Sequence, residues 1–177
     1  ILLGAVMMTP LGMIGAVCHL VIHAFMKICG FFCVGAVMHQ TGKNYISEIE
    51  GLGRRMPVVF GCFTVAAVSL TGIPPFGGFI SKWNLGTAAL ASENPLGYAA
   101  MGVLLYSAFM TAIYMGTIVL KAWFPREEEI LTFAENEKDP GWKMKLPVIV
   151  FACMIFLLGV FAKPLLGIIE NAAGGIL

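Results

Sequence analysis

Charged side chains are scarce in this chain, and the few present are unevenly distributed. They make up 12% of the residues, whereas soluble domains average about 25%. No Asp, Glu or Arg precedes Glu48. The mean hydropathy is +0.88, and several apolar runs exceed the roughly 18 residues that a bilayer requires. The composition therefore excludes an ordinary soluble domain and predicts an integral membrane protein.

An excess of charge of either sign is also missing. The formal net charge is +1, which indicates neither a nucleic-acid partner nor an acidic one. No CxxC pair occurs, so the cysteines indicate neither a zinc site nor a redox motif, and we predict no cofactor for this chain. The cysteines all lie in apolar segments, where free thiols pack as small hydrophobic groups: Cys18, Cys29, Cys33, Cys62 and Cys153.

The apolar segments predict an all-α fold, a polytopic bundle of transmembrane helices. Residues 1–8 are interpreted as the end of a preceding span, so that 1–177 would be the C-terminal part of a longer membrane domain. About four further spans follow, predicted at 10–38, 57–90, 96–122 and 147–169.

The second predicted span is too long for one straight helix. Its 34 residues would extend about 50 Å across a hydrocarbon core of about 30 Å. Two adjacent prolines near its middle remove backbone donors and disrupt a helix. We therefore expect a broken helix at about 71–78, the alternative being a simple proline kink. The predicted hinge residues are Gly72, Pro74, Pro75, Gly77 and Gly78.

Two histidines and a lysine are spaced by four residues within the first span. His19, His23 and Lys27 would share one helix face, because a helix turns every 3.6 residues. Ionisable residues inside a spanning helix are costly and usually functional. The spacing predicts a proton relay. The alternatives are core histidines bonded to carbonyl groups, or a zinc or copper site, which a nearby third ligand would be needed to complete.

Lys82 follows the predicted break, in the first turns of the second half-helix. The positive end of a helix dipole disfavours an ammonium ion there, so this lysine is predicted to release and take up a proton. The alternative is an interfacial lysine whose side chain extends to water.

The basic residues predict the orientation of the chain in the membrane. Lys and Arg are enriched in cytoplasmic loops, which places the 39–56 and 123–146 loops in the cytoplasm. Eight basic residues lie on that side and one, Lys163, on the other. The eight are Lys43, Arg54, Arg55, Lys121, Arg126, Lys138, Lys143 and Lys145.

Three stretches of the sequence resemble one family. HLVIHAFMKICGFFCVGAV, GLGRRMPVVF and LTGIPPFGGFISKW are similar to the antiporter-like subunits of respiratory complex I, to the large subunits of multisubunit sodium/proton antiporters and to membrane subunits of energy-converting hydrogenases. The resemblance covers about residues 1–124. It implies a domain with about fourteen spans in two inverted repeats, of which this chain would provide spans eleven to fourteen.

The resemblance also implies roles and partners. His19, His23 and Lys27 match positions of a central hydrophilic axis, and Lys82 matches the terminal ionisable residue on the broken helix. The implied function is proton translocation within a multisubunit complex of a bacterial-type inner (plasma) membrane, with sodium as an open second ion. The implied partners are other membrane subunits and the lipid bilayer. This chain would hold no redox centre, although its complex would be a translocase of the NADH:quinone oxidoreductase type.

Two other functions remain open from the sequence. The first is a stand-alone secondary transporter for another ion or solute. The second is a non-conducting scaffold protein, in which the ionisable residues could be neutralised without loss of pumping.

Overall fold

The computed structural model describes residues 2, 4, 9–92, 95–125 and 137–174. The described residues form helices joined by short connections, with no β-strand among them. We number the helices α1 (Pro10–Thr41), α2 (Leu52–Arg55), α3 (Pro57–Thr71), α4 (Gly77–Ala91), α5 (Pro95–Trp123), α6 (Trp142–Val160) and α7 (Ala162–Gly174), and a 3-10 turn covers Ile46–Glu48.

The all-α bundle and the break in the second span are confirmed. The helices α1, α5 and α6 are long and apolar enough to cross a membrane. The second predicted span is divided into α3 and α4, each of 15 residues. Neither half reaches about 30 Å alone at 1.5 Å per residue, but the two together do.

The helix α1 is the central element of the bundle and packs against α3, α4, α6 and α7. It begins as the sequence predicts, with Pro10 in the first turn and the Thr9 hydroxyl accepting a hydrogen bond from the backbone N–H of Gly12 at 3.1 Å. A stripe of buried side chains follows its inner face at intervals of three or four residues. The stripe consists of Cys18, Ile22, Met26, Cys29 and Cys33.

The connections at 39–56 and 123–146 meet at one end of the bundle. The backbone N–H of Gly51 donates to the carbonyl of Lys121 at 3.1 Å. The indole N–H of Trp123 donates to the Thr64 hydroxyl at 3.1 Å. A Cβ on Gly53 would lie 2.8 Å from the carbonyl oxygen of Ala122, so this close approach requires glycine. The two connections therefore lie on the same side of the fold.

The fourth predicted span, 147–169, needs correction. The helix begins earlier, at Trp142, and ends at Val160, where Phe161 leaves the helical conformation before α7 starts. Pro164 explains the end, because it has no N–H to donate to the carbonyl four residues earlier, that of Val160. Pro147, the first residue of the predicted span, lies inside α6.

Some predictions fall on residues outside the described ranges. Of the predicted end of a preceding span, residues 1, 3 and 5–8 are outside, and so is 126–136 in the long connection. The thiols are free cysteines. Cys18, Cys29 and Cys33 are buried as packing predicts and Cys62 is half-buried, but Cys153 is exposed on α6.

Candidate functional site

The interruption between α3 and α4 lies where the sequence predicts it. Gly72 ends α3 with a φ of +93°, a left-handed conformation that glycine adopts without a steric penalty. The peptide bond between Pro74 and Pro75 is cis. Phe76 is extended, with φ −80° and ψ 157°, and immediately precedes α4.

Some of the unpaired carbonyl groups at the C-terminal end of α3 accept hydrogen bonds from the residues that follow the helix. The last four carbonyls of a helix have no partner within that helix. The N–H of Gly72 donates to the carbonyls of Val68 at 3.2 Å and Ser69 at 3.0 Å, and the N–H of Ile73 also donates to Val68 at 3.3 Å. Two carbonyls at the end of α3 are left for another donor.

That donor is the side chain of Lys82. Its Nζ donates to the carbonyl oxygens of Leu70 at 2.8 Å and Thr71 at 2.9 Å. The lysine side chain passes against Gly72, where a Cβ would lie 2.9 Å from the Lys82 Cδ. Lys82 therefore closes the end of the half-helix on the other side of the break.

This placement corrects the dipole argument for Lys82. The backbone of Lys82 is near the start of α4, as predicted, but its amino group lies at the C-terminal end of α3. The C-terminal end of a helix carries partial negative charge and favours a cation. An ammonium group has three donors, and two are used by the carbonyls. A neutral amine keeps two donors, so loss of one proton is compatible with both hydrogen bonds.

The two half-helices touch at Gly78. A Cβ on Gly78 would collide with the carbonyl oxygen of Ser69. The N–H of Gly78 donates to the Ser69 hydroxyl at 3.1 Å, and that hydroxyl lies 2.9 Å from the sulfur of Met26. The hinge glycine is thus required for contact between α3 and α4 rather than for a special backbone angle.

The connecting segment also rests against α6. A Cβ on Gly159 would lie 2.5 Å from the carbonyl carbon of Phe76 and 2.6 Å from the nitrogen of Gly77. Gly77 itself faces the backbone of Ile155 and the side chain of Ile22. The Phe76–Gly77 part of the connecting segment is therefore covered by α6, whereas Ile73, Pro74 and Pro75 are exposed in this chain.

The two histidines lie next to each other on α1. Their ring centroids are 5.4 Å apart, with the planes tilted by 35°. Nδ1 of His19 lies 2.8 Å from the hydroxyl oxygen of Ser81, a fully buried residue of α4. His19 therefore faces the broken helix. Ser81 is a polar contact that sequence reasoning missed, although its position beside Lys82 could have indicated it.

Lys27 lies elsewhere, in a cavity of about 240 Å³ between α1, α3 and α5. The lining is mainly apolar, with Phe60 and Phe63 of α3 and Met115 of α5 among its residues. Lys43 lines the same cavity. Its Nζ is 2.6 Å from a carboxylate oxygen of Glu137, a residue only 6% exposed.

The structure thus brings His19 into contact with α4 and bonds the side chain of Lys82, a residue of α4, to the end of α3. Lys27 lines a separate cavity. The side chains of His19, His23 and Lys27 are half-buried, because each follows a buried stripe residue and lies about 100° around the helix from it. Within the described ranges, no three His, Cys, Asp or Glu side chains are grouped to hold a metal ion.

The long apolar helices and the divided span define a multi-pass membrane protein with an interrupted helix beside ionisable side chains. Residues 1–111 match the family described as NADH:quinone oxidoreductase/Mrp antiporter, TM. The chain belongs to this family, which confirms the resemblance found in the sequence.

Individual relatives agree with this assignment. NADH-quinone oxidoreductase subunit N of Desulforudis audaxviator (strain MP104C) is 30% identical over 175 residues, covering 94% of this chain and 34% of that protein. A Na(+)/H(+) antiporter subunit of Alkalihalophilus pseudofirmus is 29% identical over 157 residues, covering 89% of this chain and 31% of that protein. The chain spans about a third of the length of these curated relatives.

A solved structure shares the fold. A chain of the Mrp complex from Dietzia sp. DQ12-45-1b superimposes with a TM-score of 0.80 at 23% identity, over 96% of this chain and 39% of that one. At this identity the likeness establishes the fold alone.

Proposed function

We propose that this chain carries part of a transmembrane proton pathway in a subunit of a multisubunit complex. The observation that carries the proposal is the position of Lys82, whose amino group closes the C-terminal end of α3 from the opposite half of the broken helix. Ends of interrupted helices are where ion-coupled transporters bind their ions. Lys82 can exchange its third proton there while keeping both carbonyl partners.

The histidines supply the other titratable groups. His changes its charge nearer to neutral pH than any other side chain, and His19 and His23 have neighbouring rings. His19 contacts Ser81, the residue before Lys82 on α4. The histidines and Lys82 of the proposed relay therefore lie on two helices that pack against each other. Lys27 would extend the relay toward the cavity that it lines.

The proposed host is a multisubunit membrane complex of one of the kinds to which the relatives belong. One relative is named as a subunit of NADH-quinone oxidoreductase and another as a subunit of a Na(+)/H(+) antiporter. We propose other membrane subunits as partners, protons as the transported ion with sodium as an open second one, and a bacterial inner membrane as the location. The shared end of the 39–56 and 123–146 connections would face the cytoplasm, because basic residues are concentrated there.

The test is proton movement by the intact protein in its complex, reconstituted in proteoliposomes with an internal pH-sensitive dye. Lys82→Ala should abolish or strongly reduce proton uptake, because alanine carries no exchangeable proton. Lys82→Arg should also fail, since a guanidinium stays protonated at accessible pH, although it retains a cation and donors for the carbonyls of Leu70 and Thr71.

The arginine variant separates the two possible roles of Lys82. A structural cap should be restored by arginine, whereas a proton carrier should not. Exposed Lys163 on α7 provides the matched control, and Lys163→Ala should leave uptake unchanged. Wild-type uptake by the Lys82→Ala variant, or rescue by Lys82→Arg, would show that Lys82 is not a proton carrier.

A further inference from the structure

The buried hydroxyl of Ser81 connects the first helix to the broken one. Ser81 is 0% exposed. Its oxygen lies 2.8 Å from Nδ1 of His19, and it donates to the carbonyl of Gly78 at 3.1 Å. The first contact crosses the interface between α1 and α4 and the second lies within α4, so Ser81 is placed to affect the protonation pattern of His19.

The number of hydrogens in this arrangement is limited. A serine hydroxyl carries one hydrogen and two lone pairs. When its hydrogen is directed to the carbonyl of Gly78, the oxygen can only accept a hydrogen bond from His19. Nδ1 of His19 must then carry a hydrogen. A neutral imidazole has a single N–H, so Nε2 is left with the lone pair.

We propose that Ser81 is a positioning residue that holds neutral His19 in the Nδ1–H form, which makes Nε2 the atom that gains and loses the transported proton. This inference rests on the proposed relay. Uptake of a proton at Nε2 gives an imidazolium whose Nδ1–H remains bonded to Ser81. Release from Nε2 restores the neutral ring with the same anchor, so the ring need not turn during a cycle.

The opposite tautomer is less well satisfied. With the hydrogen on Nε2, Nδ1 becomes an acceptor, and Ser81 must turn its hydrogen away from Gly78 to reach it. That arrangement contains one hydrogen bond fewer among these three residues. One net hydrogen bond corresponds to a factor of about 2 to 10 in population, and this is the bias that Ser81 is expected to impose.

The tautomer can be measured directly by nitrogen-15 NMR of histidine-labelled intact protein in lipid, with the His19 signals assigned from a His19→Gln variant. At a pH where His19 is neutral, Nδ1 should give the signal of a protonated ring nitrogen and Nε2 that of an unprotonated one. Ser81→Ala should shift the population toward Nε2–H by about twofold to tenfold. Ser81→Thr, which retains the hydroxyl, should preserve the wild-type pattern.

Thr87 of α4 provides the control for removal of a hydroxyl from the same helix. Its hydroxyl donates to the carbonyls of Trp83 and Asn84, and Thr87→Ala should leave the His19 signals unchanged. A dominant Nε2–H form in the wild type, or an unchanged tautomer in Ser81→Ala, would overturn the proposal.

Proton uptake by the same variants separates this inference from the proposed function. Ser81→Ala should lower the rate, and Ser81→Thr should restore it. If the tautomer shifts but uptake stays at the wild-type rate, Ser81 is a positioning residue and a relay through His19 is refuted. If uptake falls with no change in tautomer, the relay stands and the positioning role is refuted.

Discussion

The two ends of α3 each meet a charged side chain from another part of the chain, and the signs differ. At the N-terminal end, the two carboxylate oxygens of Asp139 accept hydrogen bonds from the N–H groups of Val58 and Val59, both at 3.2 Å. At the C-terminal end, the ammonium group of Lys82 donates to two carbonyls. Each charge is the one that the helix dipole favours at that end.

The two ends differ in their surroundings. The Asp139 end lies where the two long connections meet. The Lys82 end is about 22 Å further along α3 at 1.5 Å per residue, next to the break, and both Asp139 and Lys82 are half-buried. The comparison teaches that similar capping chemistry occurs at both ends of α3, whereas only the Lys82 end adjoins the break and the proposed proton relay.

The largest effect on stability is expected from Lys82→Met, which keeps the length of the side chain but removes its donors. The carbonyls of Leu70 and Thr71 would lose their partner, and an unsatisfied buried acceptor costs about 1–3 kcal/mol. For the two acceptors together we expect a loss of about 2–6 kcal/mol in unfolding free energy, measured by denaturation in mixed micelles. A loss no larger than that of Asp139→Ala would show that the two ends are equivalent.

The next effect concerns the segment beside the Lys82 end. Gly159→Ala would place a Cβ within 2.6 Å of the Gly77 nitrogen, so the connecting segment or α6 must shift. Overpacking of this kind costs about 1–3 kcal/mol. Thermal melting of the purified protein measures it, with Gly167→Ala as control, because a Cβ there meets no atom within 4 Å. Equal melting of the two variants would contradict the close contact.

A smaller effect is expected at the Asp139 end. Asp139→Ala removes a cap from the first turn of α3, and such losses cost about 0.5–2 kcal/mol. Denaturation in mixed micelles should show this decrease, while proton uptake at a temperature where the protein is folded should stay near wild type. Loss of uptake in the folded variant would mean that the N-terminal end also belongs to the transport machinery.

The smallest effect is local and depends on pH. The N–H groups of Tyr45 and Asn44 donate to the Glu48 carboxylate at 2.9 Å and 3.0 Å, and these bonds hold the pKa of Glu48 below its usual 4.5. A lowered folded-state pKa means that the carboxylate stabilises this turn above pH 4.5 and that the contribution is lost as the pH falls through the lowered value.

Amide hydrogen exchange provides the measurement for this turn. Protection of the Asn44 and Tyr45 amides should fall as the pH drops below 4.5, and in Glu48→Gln it should be lower at neutral pH and lose this dependence. Glu170→Gln on α7 serves as the control. A pH-independent protection in the wild type would show that the carboxylate does not hold the turn.

Local chemistry made part of this arrangement predictable from the sequence. Two adjacent prolines and the following glycines predict the break wherever the surrounding helices lie, and the i, i+4 spacing of His19 and His23 predicts neighbouring rings. The structure contains both features. The proton relay itself stays a prediction.

Contacts between distant segments could not be predicted in the same way. The direction of the Lys82 side chain depends on two unpaired carbonyls of another helix. The partner of His19 depends on the rotation of α4 relative to α1, which brings Ser81 into the interface. Asp139 caps α3 from 80 residues away. One sequence without the packing of its helices specifies none of these three pairs.

The short length of each half-helix has a consequence for counting membrane crossings. Among the residues that the structure describes, the single helices long and apolar enough to cross a membrane are α1, α5 and α6, and a count of such helices omits the divided span. With that odd count, the 39–56 and 123–146 connections would end on opposite faces of the bilayer. The hydrogen bond between Gly51 and Lys121 cannot join groups separated by about 30 Å of hydrocarbon. Only the even count, in which α3 and α4 cross together, is compatible with the fold, and it reverses the side assigned to everything after Trp123.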